Sequence, residues 1–153
     1  MKKYNASLRN LESRLRRFKE HIPTMLEEVV RANEETIISY VRDGQLYRRG
    51  VNGQDVKIWS YAPYAQSTIK RKRKKGQPTT RVTLKDEGNF YAGMHLIFEP
   101  DGFYVTSSDK VTPFLVKRYG GTIFRLTDKN MTALLKTHIR KEFVKRIKQA
   151  TKP

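Results

Sequence analysis

Cysteine is absent from the 153 residues. That excludes disulfide scaffolds, cysteine-ligated zinc and thiol nucleophiles, and it fits a reducing compartment. No apolar run approaches the ~18–20 residues needed to cross a membrane, so no membrane partner is expected. The opening stretch MKKYNASLRNLESRLRRF is basic but lacks an apolar core, so no signal peptide is expected. Histidine is scarce: His21, His95 and His138 lie far apart, and none has metal-ligand spacing. His138 stands beside the apolar face of the last expected helix and reads as a packing residue. Acidic residues are the other shortage, with 15 Asp and Glu against 32 Lys and Arg, a net charge of +17. Hydrophobic residues make up 37% of the chain. That is low for a free-standing domain and points to exposed segments or to surface buried against partners.

The charge is uneven. Residues 1–23 carry +5, residues 24–43 carry −3, residues 44–85 carry +10 and residues 86–153 carry +5. The third segment holds an unbroken basic run, Lys70, Arg71, Lys72, Arg73, Lys74 and Lys75. Six adjacent like charges repel one another and call for solvent or an anionic partner.

The length suits a single domain, 1–153. Leu8, Leu11, Leu15, Phe18 and Ile22 recur at helical steps and predict an apolar stripe. Pro23 punctuates it, and Thr24 with Glu27 has capping-box spacing for a second helix, or for one long helix kinked at Pro23. The second face reads Leu26, Val29, Val30, Ile37 and Val41, with Gly44 placed to stop it. Residues 44–80 lack sustained periodicity and read as a long basic and aromatic arm or loop, Leu46, Tyr47, Trp59, Tyr61 and Tyr64 interleaved with the charge. Val82 and Leu84 give a strand signal. Residues 93–108 predict a β-hairpin about Glu99-Pro100-Asp101-Gly102. A short helix from Asp109 should stop at Gly120-Gly121, and Ile123 with Leu126 suggests a further strand. Thr127 or Asp128 should cap a C-terminal amphipathic helix bearing Met131, Leu134, Leu135, Ile139, Phe143 and Ile147 as a core or subunit-interface stripe. The order predicts an α+β fold with N-terminal helices, a small antiparallel sheet and an extended basic arm.

Chemistry is hard to find. No phosphate-binding loop is present. Asp55-Val56-Lys57 matches the short acidic-x-lysine pattern of metal-dependent nucleases, but the nearest candidate partner, Asp101, lies downstream on a turn. Asp86 and Glu87 read as a polar turn before Gly88, since strand neighbours point to opposite faces. No catalytic, cofactor-binding or metal-ligating residue is assigned, no cofactor is expected, and the chain does not read as an enzyme. Two readings of the basic run remain open: phosphate neutralisation with Trp59, Tyr61 and Tyr64 as stacking platforms, or a solvated tip or surface meeting an acidic protein.

Several stretches together carry a resemblance: QLYRRGV at 45–51, KKGQPTTRVTLKDEGNFYAGM at 74–94, FYVTSSDK at 103–110 and LVKRYGGTIFRLT at 115–127. Over about residues 45–127 the layout resembles small virion-assembly proteins of tailed bacteriophages, especially those of Bacteroides-type gut hosts, in the head–tail connector, neck and tail-completion group. That group has a leucine–polar–Asp-Thr-Gly element before a hairpin. Here it reads Leu84-Lys85-Asp86-Glu87-Gly88, with Glu87 in place of threonine, and the tyrosine–glycine element after the hairpin is Tyr119-Gly120. The resemblance implies a non-enzymatic subunit of a homo-oligomeric ring in the virion, assembled in the host cytoplasm. Its partners would be the portal and other neck or tail proteins, with contact to packaged DNA possible through Lys70–Lys75 and the aromatics. The alternative is a non-specific nucleic-acid-binding accessory protein gripping phosphate through 44–85.

Overall fold

A computed structural model describes residues 2–150, and the side chains of residues 9–150. The fold is α+β, as expected. Helix α1 spans Lys2–Ala32 and runs through Pro23. The Thr24–Glu27 spacing is therefore mid-helix and caps nothing. The break comes instead at Asn33, whose side chain donates to the Val29 carbonyl at 2.8 Å. A side chain that bonds the preceding turn competes with the helical ladder. Helix α2 follows at Glu34–Ser39.

The chain then widens into a π-helical segment, Tyr40–Arg49, that passes straight through Gly44. It stops at Gly50, whose φ of +62° is left-handed and whose added Cβ would lie 2.9 Å from the Arg81 Cβ. Wider i→i+5 turns move the inward face from four residues to five. Val41 and Leu46, five apart, are both fully buried. The C-terminal helix repeats the device. Thr127 caps it, its hydroxyl accepting from the Asn130 N–H at 3.2 Å. Helix α6, Asp128–Leu134, passes through a π turn, Leu135–Ile139, into α7, Arg140–Ala150. Leu134 and Ile139, again five apart, are buried, whereas Met131 and Leu135 are 37% and 48% exposed. The expected stripe is thus split. Leu134 and Ile139 belong to the core, Phe143 and Ile147 are half-buried, and Met131 and Leu135 face out.

Helix α3 spans Gln66–Lys74 and the single turn α4 spans Asn89–Ala92. Strands β1, Met94–Glu99, and β2, Gly102–Ser107, form the expected antiparallel hairpin, with Met94 opposite Ser107 and Glu99 opposite Gly102. Helix α5, Thr112–Tyr119, ends at Gly120 as anticipated. Ile123 and Leu126 are buried but form no strand; Gly121–Phe124 is a 3₁₀ turn. Glu34 on α2 accepts the Leu96 N–H at 2.8 Å and ties the helical layer to the hairpin.

The largest correction concerns 44–80. Rather than an extended arm, the segment supplies core. Leu46 and Ile58 are fully buried, and Val51 and Tyr64 nearly so. Gln45, also fully buried, donates to the Arg125 carbonyl at 2.9 Å and accepts from the Thr127 N–H at 2.8 Å, latching the π segment to the start of α6. Gly53 approaches Arg125 so closely that a Cβ would lie 2.4 Å from the Arg125 Cβ. The aromatics find their surface on their own domain, and that burial offsets the ordering entropy of a glycine-containing segment.

Candidate functional site: a basic helix on a polar clamp

The basic run forms the C-terminal half of α3 and the turn beyond it. Cations suit a helix C-terminus, where unpaired carbonyls carry partial negative charge. Thr68, Ile69 and Lys72 lie at helical spacing on the inward face, and Lys70, Arg71, Arg73 and Lys74 face solvent. The turn closes at Gly76, φ +64°, with the Gln77 N–H bonding the Lys72 carbonyl at 2.9 Å.

Lys72 corrects the expectation that the whole run is solvated or ready for phosphate: only 3% of it is exposed. Its ammonium donates to the Lys85 carbonyl and to Gln77 Oε1 at 3.1 Å, and sits 5.1 Å from the centre of the Tyr64 ring. A buried cation is tolerated only when its donors are met in this way.

What Lys72 clamps is the stretch that reads as a strand. Val82, Thr83 and Leu84 are all buried, but no strand forms there. Leu84 has a left-handed φ of +58°, which breaks the alternation. Side chains take the place of a ladder. The Tyr64 hydroxyl accepts the Thr83 N–H at 2.9 Å and the Leu84 N–H at 3.1 Å. The Tyr91 hydroxyl donates to the Thr83 carbonyl, and burial pushes that phenol's pKa well above its usual value. The Tyr119 phenol is raised by burial as well. Arg81 donates to the Tyr47 carbonyl at 2.6 Å. Asp86 then receives Lys75 at 2.7 Å and Arg71 at 3.5 Å. The Lys75 hydrogen bond, aided by the Arg71 charge, holds the Asp86 carboxyl below its usual range.

The aromatics do not form a row of stacking platforms. Tyr64 is a buried pillar, and Trp59 packs edge-on against it at 6.2 Å. Tyr61 is 46% exposed, but its hydroxyl is engaged with the Tyr119 carbonyl at 3.0 Å. The surface open to an anion is accordingly Lys70, Arg73 and Lys74, none ion-paired among the described residues, with Arg71 beside them.

Asp55 is a left-handed turn residue bonded to Arg49, and Asp101 is on the hairpin tip. His138 packs edge-on against Tyr40 at 6.4 Å. Among the described residues no three of His, Asp and Glu are grouped to hold a metal ion, and no helix is long and apolar enough to cross a membrane.

Sequence reasoning missed Lys72 and Gln45 as structural anchors. Lys72 shares an inward helical face with Ile69, but that face shows only once α3 is formed, and nothing local marks Gln45. No protein-family model, no curated protein and no solved structure matches the chain.

Proposed function

We propose that this chain is a structural subunit of a tailed-bacteriophage virion, one of a ring of identical copies in the head–tail connector, neck or upper tail that joins portal to tail. The observation that carries the proposal is the first half of α1. Every residue from 9 to 17 is exposed around the whole helix, Leu11 and Leu15 included at 53% and 58%. Apolar side chains held out on an uncovered helix are surface awaiting a neighbour. Head-to-tail contacts that close by rotation would turn such a subunit into a ring. The stretches that carry the resemblance are turns and core of this domain: the Leu84–Gly88 element is the clamped loop, and Tyr119-Gly120 ends α5. A domain scaffolded on those elements supports an assembly role over a catalytic one. Mass spectrometry and tag labelling of purified virions test the proposal, with the protein expected at the head–tail junction in ring stoichiometry. Deletion of its gene should leave filled heads and separate tails; joined, infectious particles without it would refute the assignment.

A second reading, non-specific nucleic-acid binding, is favoured by Lys70, Arg73 and Lys74 standing unpaired on one flank of α3. Its signature is salt dependence, ~0.9 log units of affinity per log unit of salt for each phosphate contacted.

A further inference from the structure

The exposed half of α1 has a counterpart elsewhere on the molecule. Below it, α1, the hairpin tip and the C-terminal helix enclose an apolar groove of about 430 Å³, walled by Leu26, Val30, Phe98, Phe103 and Met131 and floored by Leu134. Nothing among the described residues fills it. Its rim carries Glu27, Glu99 and Asp101, and one base stands beside it, Arg31, whose guanidinium lies over the Phe98 ring at 3.8 Å. Glu27 is satisfied by Arg31 at 2.7 Å, but Glu99 and Asp101 have no ion pair among the described residues. On a chain of net charge +17, an apolar groove whose rim keeps two carboxylates without an ion pair among the described residues selects a basic amphipathic segment.

We infer that this groove takes the first half of α1 from a second copy of the chain, with Leu11 and Leu15 as anchors. Charge complementarity identifies the occupant. Arg9, Arg14, Arg16, Arg17 and Lys19 surround the two leucines, and only Arg16 has an ion pair among the described residues, with Glu12 at 3.9 Å. Residues 9–19 carry +4, so seating them against the acidic rim brings opposite charges together beside an apolar seam. The occupant cannot be the chain's own α1. Residues 23–30 of that helix already form one wall, and Leu15 and Leu11 lie roughly 17–22 Å back along the same rod at 1.5 Å per residue. A continuous helix does not fold back to reach its own side. The inference rests on the ring reading for its biological setting, and supplies the contact by which one copy would hold the next.

The absence of cysteine allows a direct test on the intact chain. Two single-cysteine variants, Leu15→Cys and Met131→Cys, are mixed at tens of micromolar and treated with a short bismaleimide. Both positions are exposed, so neither change disturbs the core, and cysteine leaves a small apolar side chain at each contact position while Leu11 keeps the other anchor. A covalent heterodimer is expected at a yield at least tenfold above that of Leu15→Cys mixed with Phe114→Cys, whose ring is 73% exposed on α5 outside the groove. The double reversal Glu99→Lys with Asp101→Lys should lower the yield at least tenfold, and Arg14→Glu with Arg17→Glu on the other partner should restore it. Preferential coupling of Leu15→Cys to itself would mean stripe-to-stripe pairing and overturn the inference, as would a yield no better than the Phe114→Cys control. A chain carrying both cysteines separates this from the ring reading. A ladder of products supports both; a closed reciprocal dimer keeps the groove and removes the ring; rings that form without the 15–131 product keep the ring and remove the groove.

Discussion

Residues 9–19 and residues 66–85 are both basic, and both contain a helix with an apolar side. In the first, Leu11 and Leu15 stand in solvent and, among the described residues, Arg16 alone of the neighbouring bases has an ion pair. In the second, a lysine is buried to 3% exposure and a loop is held by the hydroxyls of Tyr64 and Tyr91. The difference is in what the backbone and apolar groups meet. The clamp segment has partners within one domain: carbonyls for an ammonium, amides for a phenol, a ring for a cation. The first half of α1 satisfies its backbone within its own helix and so needs no neighbour to be regular, but its leucines are left uncovered. Helical regularity and burial are separate properties, and charge density opposes burial only where donors lack acceptors.

The comparison can be broken most sharply at Tyr64. Tyr64→Phe leaves two buried N–H groups without an acceptor, and urea unfolding should show a loss of roughly 2–4 kcal/mol. Leu15→Ala, on the other side of the comparison, should change the stability of the monomer by less than ~0.5 kcal/mol. Equal losses would mean that α1 is covered in the free chain or that Tyr64 is replaceable by water.

Within the basic run the same contrast should appear between adjacent residues. Lys72→Met removes the donor to Lys85 and Gln77 and is expected to cost roughly 1–3 kcal/mol. Lys70→Ala and Arg73→Ala should stay within ~0.5 kcal/mol. Thermal melts of the three variants check the order.

Hydrogen exchange on the free chain sharpens it without mutation. The Thr83 and Leu84 amides should exchange slowly, at rates close to those of global opening, and residues 9–17 should exchange fast, because only helical bonds protect them. Fast exchange at 83–84 would mean that the Tyr64 clamp does not hold in the free chain.

Alkaline pH gives a smaller, graded effect. The Tyr91 phenol has a folded pKa raised by burial, so its contribution to stability is present below pH ~10 and is lost as pH rises beyond it, when the unfolded chain releases a proton that the folded chain keeps. The loss should approach ~1.4 kcal/mol per pH unit, and Tyr91→Phe should flatten that slope. The smallest effect comes at the acid end. Asp86 has a lowered pKa, so its contribution is present above about pH 4 and is lost as pH falls below that, chiefly through the Lys75 contact. This carboxyl is half-exposed, so Asp86→Asn at pH 7 should cost under ~1 kcal/mol by denaturant titration.

Much of the fold was legible because its signals are local. Alternation about Pro100-Asp101-Gly102 specifies the hairpin, since the turn and the strand period agree. Thr127 lies where an N-cap hydroxyl reaches the third amide of a helix, and it does so. Gly120 ends α5 with a φ of +83° that other residues resist. The basic flank of α3 was legible as charge, although its helix was not, because a run of lysine and arginine carries little apolar period. The aromatic candidates were visible as residues that need a surface, but which surface was not: Tyr64 lies 19 residues from Thr83 and meets it only in the fold.

The amino-acid sequence alone determined the class of the fold, the hairpin and its turn, the Thr127 cap, the Gly120 stop and the excess of positive charge, because each is written in composition or in residues within a few positions of one another. Tertiary structure decided the rest. It widened two helices into π turns so that Val41 with Leu46 and Leu134 with Ile139 could both face the core, a shift of one residue that no 3.6-residue period anticipates. It turned the Val82–Leu84 alternation into a clamped loop by bringing Tyr64, Tyr91 and Lys72 to its backbone. It also left Leu11 and Leu15 outside while burying Lys72. Periodicity states which side of a helix is apolar; only the arrival of a partner, from the same chain or from another, states whether that side is covered.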